Sequence, residues 1–474
     1  MPLSRDAVPR AFRSRRLSLL IFAVASFNAD VAIAQSIYDQ LILPRPSRIT
    51  EPQVYAAIDP QTGMEMLATE PTPFYNEIPI NANFLGRAAI IGDNTRLADF
   101  SNGNFVPSAI PVDGQPFFGS DSRANLQGNG SAIALDAYAP ASFGMDASVH
   151  AQIAIDNASI SATDSSGGVD FSVRQVYARL NRLKVGVMDT AFGDPSAVPE
   201  ILDLAGPSAR VTTYDSGFGG DGQGRLSYDL LSDEPEGFEI IASVEQSIAE
   251  IAPADDEDLT FSHTPDFVLA SQYVDGVYVG DDFYENWHLQ FSSVFRDLSI
   301  ESPSGDSQSD FGWGTSLSGA YRLRLYDDGT PLDRAAFSVT YGQGISHYIT
   351  DLNAADDTGD AVINDGGSLE ALPVLAWYSA YTHSWNNVLR STISYSRVEL
   401  QSVDRLGVVA SPYRTGDWAA INLVHHRVFN GPIDADTPKR TLYTGLEYLY
   451  GMKETLDGAE GAADRLMFVV VISK

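Results

Sequence analysis

Apolar side chains recur at every second residue over most of this chain. In one window, Trp287, Leu289, Phe291 and Phe295 occupy odd positions, while His288, Gln290, Ser292 and Arg296 occupy even ones. A period of two gives a β-strand one greasy face and one polar face. The same pattern holds in 143–153, 225–230 and 315–325, and it recurs to the C-terminal strand, where Leu466, Phe468, Val470 and Ile472 alternate. Beyond the N-terminus no stretch approaches the roughly 18 uninterrupted apolar residues of a membrane-crossing helix. The chain is therefore all-β, and two homes suit it: a soluble sandwich or a transmembrane barrel.

The first 34 residues read as an export signal. Arg5, Arg10, Arg13, Arg15 and Arg16 precede an apolar run from Leu17 to Phe27, and Ala32-Ile33-Ala34 offers small residues for cleavage. Residues 35–84 are punctuated by prolines and read as an extended periplasmic leader. The alternation then occupies 85–474, with room for about sixteen strands (14–18) of about 9–11 residues, joined by short turns on one side and long loops on the other.

The polar face decides between sandwich and barrel. It is Ser, Gly, Thr, Asn and Gln with occasional Arg rather than the Lys/Glu mixture of a solvated surface, and only 19% of the chain is charged. That composition suits a wet, enclosed lumen. Tyrosine and tryptophan recur near strand ends, among them Trp287, Trp313, Trp377, Trp385, Trp418 and Tyr448, as an interfacial girdle requires. A closed antiparallel cylinder also satisfies every backbone donor in lipid. The absence of cysteine removes disulfides and thiolate chemistry, and a net charge of −32 disfavours a nucleic-acid partner.

The stretch Val185-Gly186-Val187-Met188-Asp189-Thr190-Ala191-Phe192-Gly193-Asp194-Pro195-Ser196-Ala197-Val198-Pro199-Glu200-Ile201-Leu202-Asp203-Leu204-Ala205-Gly206-Pro207 resembles a characteristic segment of the DcaP-like trimeric outer-membrane porins. Weaker matches keep the same order, at Arg174–Tyr177 just before it and at Arg296–Leu298, Gly312–Gly314, Tyr341–Gly344, His383–Trp385 with Leu389–Thr392, and Gly445–Tyr448 after it. The resemblance implies a sixteen-stranded barrel, a homotrimer in the bacterial outer membrane among lipid and lipopolysaccharide, and passive diffusion of small solutes, often carboxylates. Three departures stand out: the proline-rich leader, Val187 where glutamine is common, and Lys474 where the barrel-insertion machinery usually reads an aromatic residue.

A porin catalyses nothing; its selectivity comes from pore width and lining charge. Asp194-Pro195 and Gly206-Pro207 break strand pairing, so about 190–208 is expected to fold inward as a constriction loop. It would bring Asp189, Asp194, Glu200 and Asp203 to the channel, with Arg210 just beyond. Strand parity sets Arg225, Arg296, Arg322, Arg324 and Arg390 on the polar face, with Arg174 beside them. Arginine binds carboxylates through its fork. The same residues could instead brace the wall by pairing with lumen acids such as Asp146, Asp229 or Glu447. Acidic runs such as Asp255–Asp258, Asp356-Asp357 and Asp360 read as solvated outer loops.

The rival reading is a secreted, acidic, soluble β-protein that binds calcium or surfaces. No cofactor or metal is called for. Gly217–Gly222 has the spacing of a dinucleotide loop, but a strand follows it where that motif needs a helix. His425-His426 point to opposite faces of one strand and cannot share a metal. No hydrolase motif is present.

Overall fold

A computed structural model describes residues 57–58, 65–66, 80–95, 97, 104–120, 122–138, 147–161, 169–212, 222–231, 236–247, 249–252, 259–279, 282–301, 307–325, 331–353, 359–364, 367–386, 388–401, 413–429 and 440–473. The export signal and Lys474 lie outside them. Of the leader they include only the paired segments Ala57–Ile58 and Glu65–Met66, and then the first barrel strand, which opens at Ile80 rather than after residue 84.

Sixteen strands form one closed antiparallel barrel. They are β1 (Ile80–Asp93), β2 (Arg123–Gln127 continued by Ser131–Tyr138), β3 (Ala147–Ser161), β4 (Val169–Leu180), β5 (Leu183–Met188), β6 (Gln223–Asp229), β7 (Gly237–Glu245) and β8 (Leu259–Phe261 continued by Asp266–Val279). The second half comprises β9 (Asp282–Glu301), β10 (Ser307–Leu325), β11 (Pro331–Gln343), β12 (Pro373–Ser384), β13 (Leu389–Leu400), β14 (Tyr413–Phe429), β15 (Arg440–Thr455) and β16 (Glu460–Ser473). Each strand pairs with its neighbour in sequence, and β16 closes on β1 in a ladder from Arg465↔Asp93 to Ser473↔Leu85.

The alternation read from the sequence is the alternation of faces. On β9, Leu289, Phe291 and Phe295 point outward, Phe291 being 51% exposed, while His288, Gln290, Ser292 and Arg296 point inward and are buried. Exposed aliphatic and aromatic side chains continue around the wall from Phe84 on β1 to Ile472 on β16. A soluble monomer rarely leaves so large a continuous apolar surface in water. The belt contradicts the soluble β-protein reading and makes the barrel a transmembrane one.

One expected girdle residue faces the other way. Trp418 is fully buried and points inward, where it packs with Phe105 and Ile110. In Asp417-Trp418-Ala419-Ala420-Ile421-Asn422 small residues flank the tryptophan, so local periodicity is weak; the inward parity is carried by Asn422 and Val424.

Three long connections, 94–122, 189–222 and 344–372, leave the same end of the barrel, and their described parts turn into it. One apolar cluster joins Phe105, Val106, Ile110, Ile201 and Leu202 to inward residues of β1, β14, β15 and β16. Another joins Phe192, Ile345, Tyr348, Ile349 and Leu352 to β8, β9, β12, β13 and β14. A small sheet of Ile251–Ala252, Ala361–Ile363 and Leu369–Ala371 ties the connection after β7 to the one after β11. The fully buried wall residues of these clusters come from β1 and from β8 onward, and none comes from β2–β7.

Candidate functional site

Beyond β5 the chain cannot keep pairing, because Pro195 offers no donor. Asp194 caps the short turn Pro195–Ala197, its carboxylate accepting from Ser196 N. The segment then crosses the barrel interior and is fastened strand by strand. Thr190 Oγ1 and Ala191 N donate to Glu245 on β7 at 2.6 and 2.9 Å. Ser292 Oγ and Gln290 Nε2 on β9 donate to the carbonyls of Phe192 and Gly193. Asp194 accepts from Ser318 Oγ on β10 at 2.7 Å and meets His288 Nε2 at 3.0 Å. Arg334 on β11 donates to the carbonyls of Ser196 and Val198. Farther round, Arg390 on β13 donates to Glu200 at 2.6 Å, Glu447 on β15 accepts from Leu202 N and Asp203 N at 2.8 Å each, and Arg465 on β16 donates to Asp203 at 3.1 Å.

These contacts dispose of the loop's acids. Burial pulls the Asp194 carboxyl up, but the charge and hydrogen bond of His288, with that of Ser318, outweigh it and hold the group below the usual carboxylate range. His288 meets Glu285 through Nδ1 at 2.6 Å as well as Asp194 through Nε2, and both ring nitrogens can donate only in the imidazolium form. Glu200 and Asp203 each face an arginine. Arg210 differs: it is half-buried, and its guanidinium has no partner among the described residues.

The other two connections lock onto this one. Asp351, wholly buried, accepts from Ser108 N at 2.7 Å and from Tyr413 Oη at 2.6 Å, while Lys453 Nζ donates to Ser108 O at 2.7 Å. Thr350 N donates to Arg210 O at 3.0 Å. Below β11, Arg296 meets both Asp266 and Asp360 at 3.0 Å, and His347 lies 3.4 Å from Asp360 and 2.9 Å from Glu250.

The arginines expected to line the pore separate into two groups. Arg296 and Arg390 are buried beneath the inward loops and brace them, so neither forms open wall. Asp360, expected on a solvated outer loop, is the buried partner of Arg296. Arg174, Arg225 and Arg322 stay half-buried on inward faces, and Arg225 donates to Asp189 O at 2.7 Å. Arg324 sits on β10, its side chain outside what is described. Asp189 is half-buried and accepts from Gln175 Nε2 at 2.9 Å. Of the acids that might have braced the arginines, Asp229 meets Lys184 at 3.5 Å, Glu447 meets backbone donors, and Asp146 lies outside the described residues. So do Asp255–Asp258, Asp356-Asp357 and most of the glycine-rich 217–222. His425 is exposed and His426 buried against Tyr443, on opposite faces as expected.

Sequence reasoning missed His288, Arg334 and Arg465, and placed Glu447 in the lumen only as a partner for wall arginines, where the structure has it accept from the backbone of the inward segment. Parity would have found Arg465, because Leu466 and Phe468 face lipid and Arg465 must then face in.

The outer membrane channel DcaP of Acinetobacter baumannii matches this architecture with a TM-score of 0.61 and 19% identity, over 84% of this chain and 97% of that one. The chain has the porin fold. An anion-selective porin from Comamonas acidovorans aligns at 12% identity and a TM-score of 0.49, over 84% of this chain and all of that one. OprB of Pseudomonas putida aligns at 10% and 0.43, over 83% and 94%. No family model and no curated protein matches the sequence.

Proposed function

We propose that this protein is a bacterial outer-membrane porin, a passive channel for small hydrophilic solutes and not an enzyme. The observation that carries the reading is a closed barrel, greasy outside, whose inward loops bury their apolar side chains against β1 and β8 onward and take no fully buried wall residue of β2–β7 into those clusters. Water and small polar molecules then have an eccentric passage bounded by Arg174, Arg225, Asp189 and the edge of 189–212.

The passage favours carboxylates. Each acid at the centre of the inward segment meets a cation, Asp194 His288, Glu200 Arg390 and Asp203 Arg465, although His288 is shared with Glu285 and Arg465 with Asp93. Arg334 is held only by carbonyls, and Arg210 has no partner among the described residues. Swelling of liposomes containing the purified protein tests the reading: dicarboxylates of a given size should enter faster than amines of that size. Equal rates would remove the carboxylate preference, and no swelling with any solute would remove the channel.

The assembly is a homotrimer in this reading. β5 has six residues and β6 seven. Six residues at about 3.3 Å each, tilted about 40°, rise about 15 Å against an apolar band about 25 Å tall. A wall that low fits a neighbouring subunit better than lipid, and its outward Leu226, Tyr228, Phe238 and Phe267 supply apolar contact. Lipopolysaccharide surrounds the remaining wall, and the barrel-insertion machinery delivers the chain there.

A further inference from the structure

Glu447 differs from the acids that the inward segment itself carries, Asp194, Glu200 and Asp203, each of which meets a cation. It is fully buried, yet no cationic side chain pairs with it among the described residues. Its oxygens instead accept from Leu202 N and Asp203 N at 2.8 Å each, and from Asn422 Nδ2 at 3.1 Å. Two of its three donors therefore belong to the segment it holds. If that segment lifts away, the carboxylate loses both bonds in an interior that penalises unpaired charge. Docking and the satisfaction of Glu447 are one event.

The neighbouring wall is cut to receive the same tip. Gly445 faces inward two residues before Glu447, and a Cβ there would meet Leu202 Cδ1 at 2.5 Å and Cγ at 3.4 Å. The bare glycine lets Leu202 seat this closely on β15, and a larger residue there would push the leucine methyls aside. Just before the tip, Glu200 is held by Arg390, and beyond it the chain runs to Arg210.

We propose that Glu447 is a positioning residue for the channel: its unpaired carboxylate clasps the Leu202-Asp203 backbone and so fixes how far the segment 189–212 intrudes on the passage. The proposal rests on the porin reading and assigns to that channel the residue that sets its width. Glu447→Gln tests it, because an amide puts a donor where the clasp needs an acceptor. Loss of a charge-assisted hydrogen bond shifts a docked-to-undocked ratio by about tenfold. Planar-bilayer recordings should then show about a tenfold greater occupancy of a higher-conductance level, and the amides of 198–206 should lose protection from hydrogen exchange.

The cysteine-free chain allows a clean rescue. Leu202→Cys with Gly445→Cys in the Glu447→Gln background should restore the wild-type level when oxidised and release it when reduced. Glu447→Asp, which keeps the charge but shortens the reach, should move both readouts the same way and serves where the glutamine variant fails to fold. A conducting wild type whose Glu447 variants match it in both conductance and exchange overturns this proposal alone. A wild type that never conducts overturns the porin reading and this proposal with it.

Discussion

Arg210 and Arg296 show why charge alone does not identify a pore residue. Both are arginines beside inward-folded chain, yet Arg296 is sealed between Asp266 and Asp360 while Arg210 keeps its charge without a partner among the described residues. Removing a bare cation from a water-filled passage forfeits about 1 kcal/mol of attraction at close range, which is about a fivefold factor. Arg210→Ala should therefore lower the anion-to-cation permeability ratio about fivefold, read as a shift in reversal potential across a salt gradient. The buried cluster makes a second prediction. Burial pulls His347 down, but Asp360 and Glu250 outweigh it and raise the imidazole to about 9. Asp360, pushed up by burial, is drawn down more strongly by Arg296 and His347, to about 2. The raised histidine contributes fully below its ordinary 6.5 and loses that contribution as pH climbs through about 9. The lowered aspartate contributes above its ordinary 3.8 and loses it as pH falls through about 2. The clasp on 344–372 should accordingly hold from about pH 4 to 6.5 and loosen above about 9, seen as noisier open-channel current at alkaline pH. His347→Gln should abolish that alkaline change. Parity set Arg225, Arg296, Arg322 and Arg390 inward correctly; it could not say which of them a returning loop would cover, because Asp360 approaches from a distant part of the chain.

At the scale of a strand, the two faces should answer oppositely to the same substitution. Ile153 on β3 is 47% exposed on the outer face, and its neighbour Gln152 is half-buried on the inner one. Ile153→Arg should destabilise the folded barrel by about 2–4 kcal/mol, whereas Gln152→Arg should cost less than about 1 kcal/mol. Reversible unfolding in lipid vesicles with denaturant measures both, and equal costs would contradict the assigned faces. Strands were the most legible part of the sequence, since a period of two survives any number of unknown long-range contacts. The inward segment 189–212 was legible through its prolines. The intrusions of 94–122 and 344–372 were not: what holds them is a long-range set, Asp351 with Ser108 and Tyr413, and Lys453 with Ser108, that leaves no local period. Trp418 misled for a related reason, because it serves those loops and not the membrane interface.

For the molecule as a whole, the barrel wall and the loops have separate tasks. The wall satisfies its backbone in lipid by closing, and the loops fold into the cylinder and pack against its inner face. Cross-linking of the native membrane protein should yield trimers, with contacts near the low wall of β5–β7, and Tyr228→Asp there should shift the population toward monomer. The central claim is that a water-filled route runs through the closed cylinder beside its folded-in loops. Single-channel recording of the purified wild-type protein in a planar bilayer tests this most directly. The account predicts discrete steps of conductance with a reversal potential displaced toward that of the anion. A protein that inserts, shows the heat-sensitive gel mobility of a folded barrel and yet passes no current would contradict it.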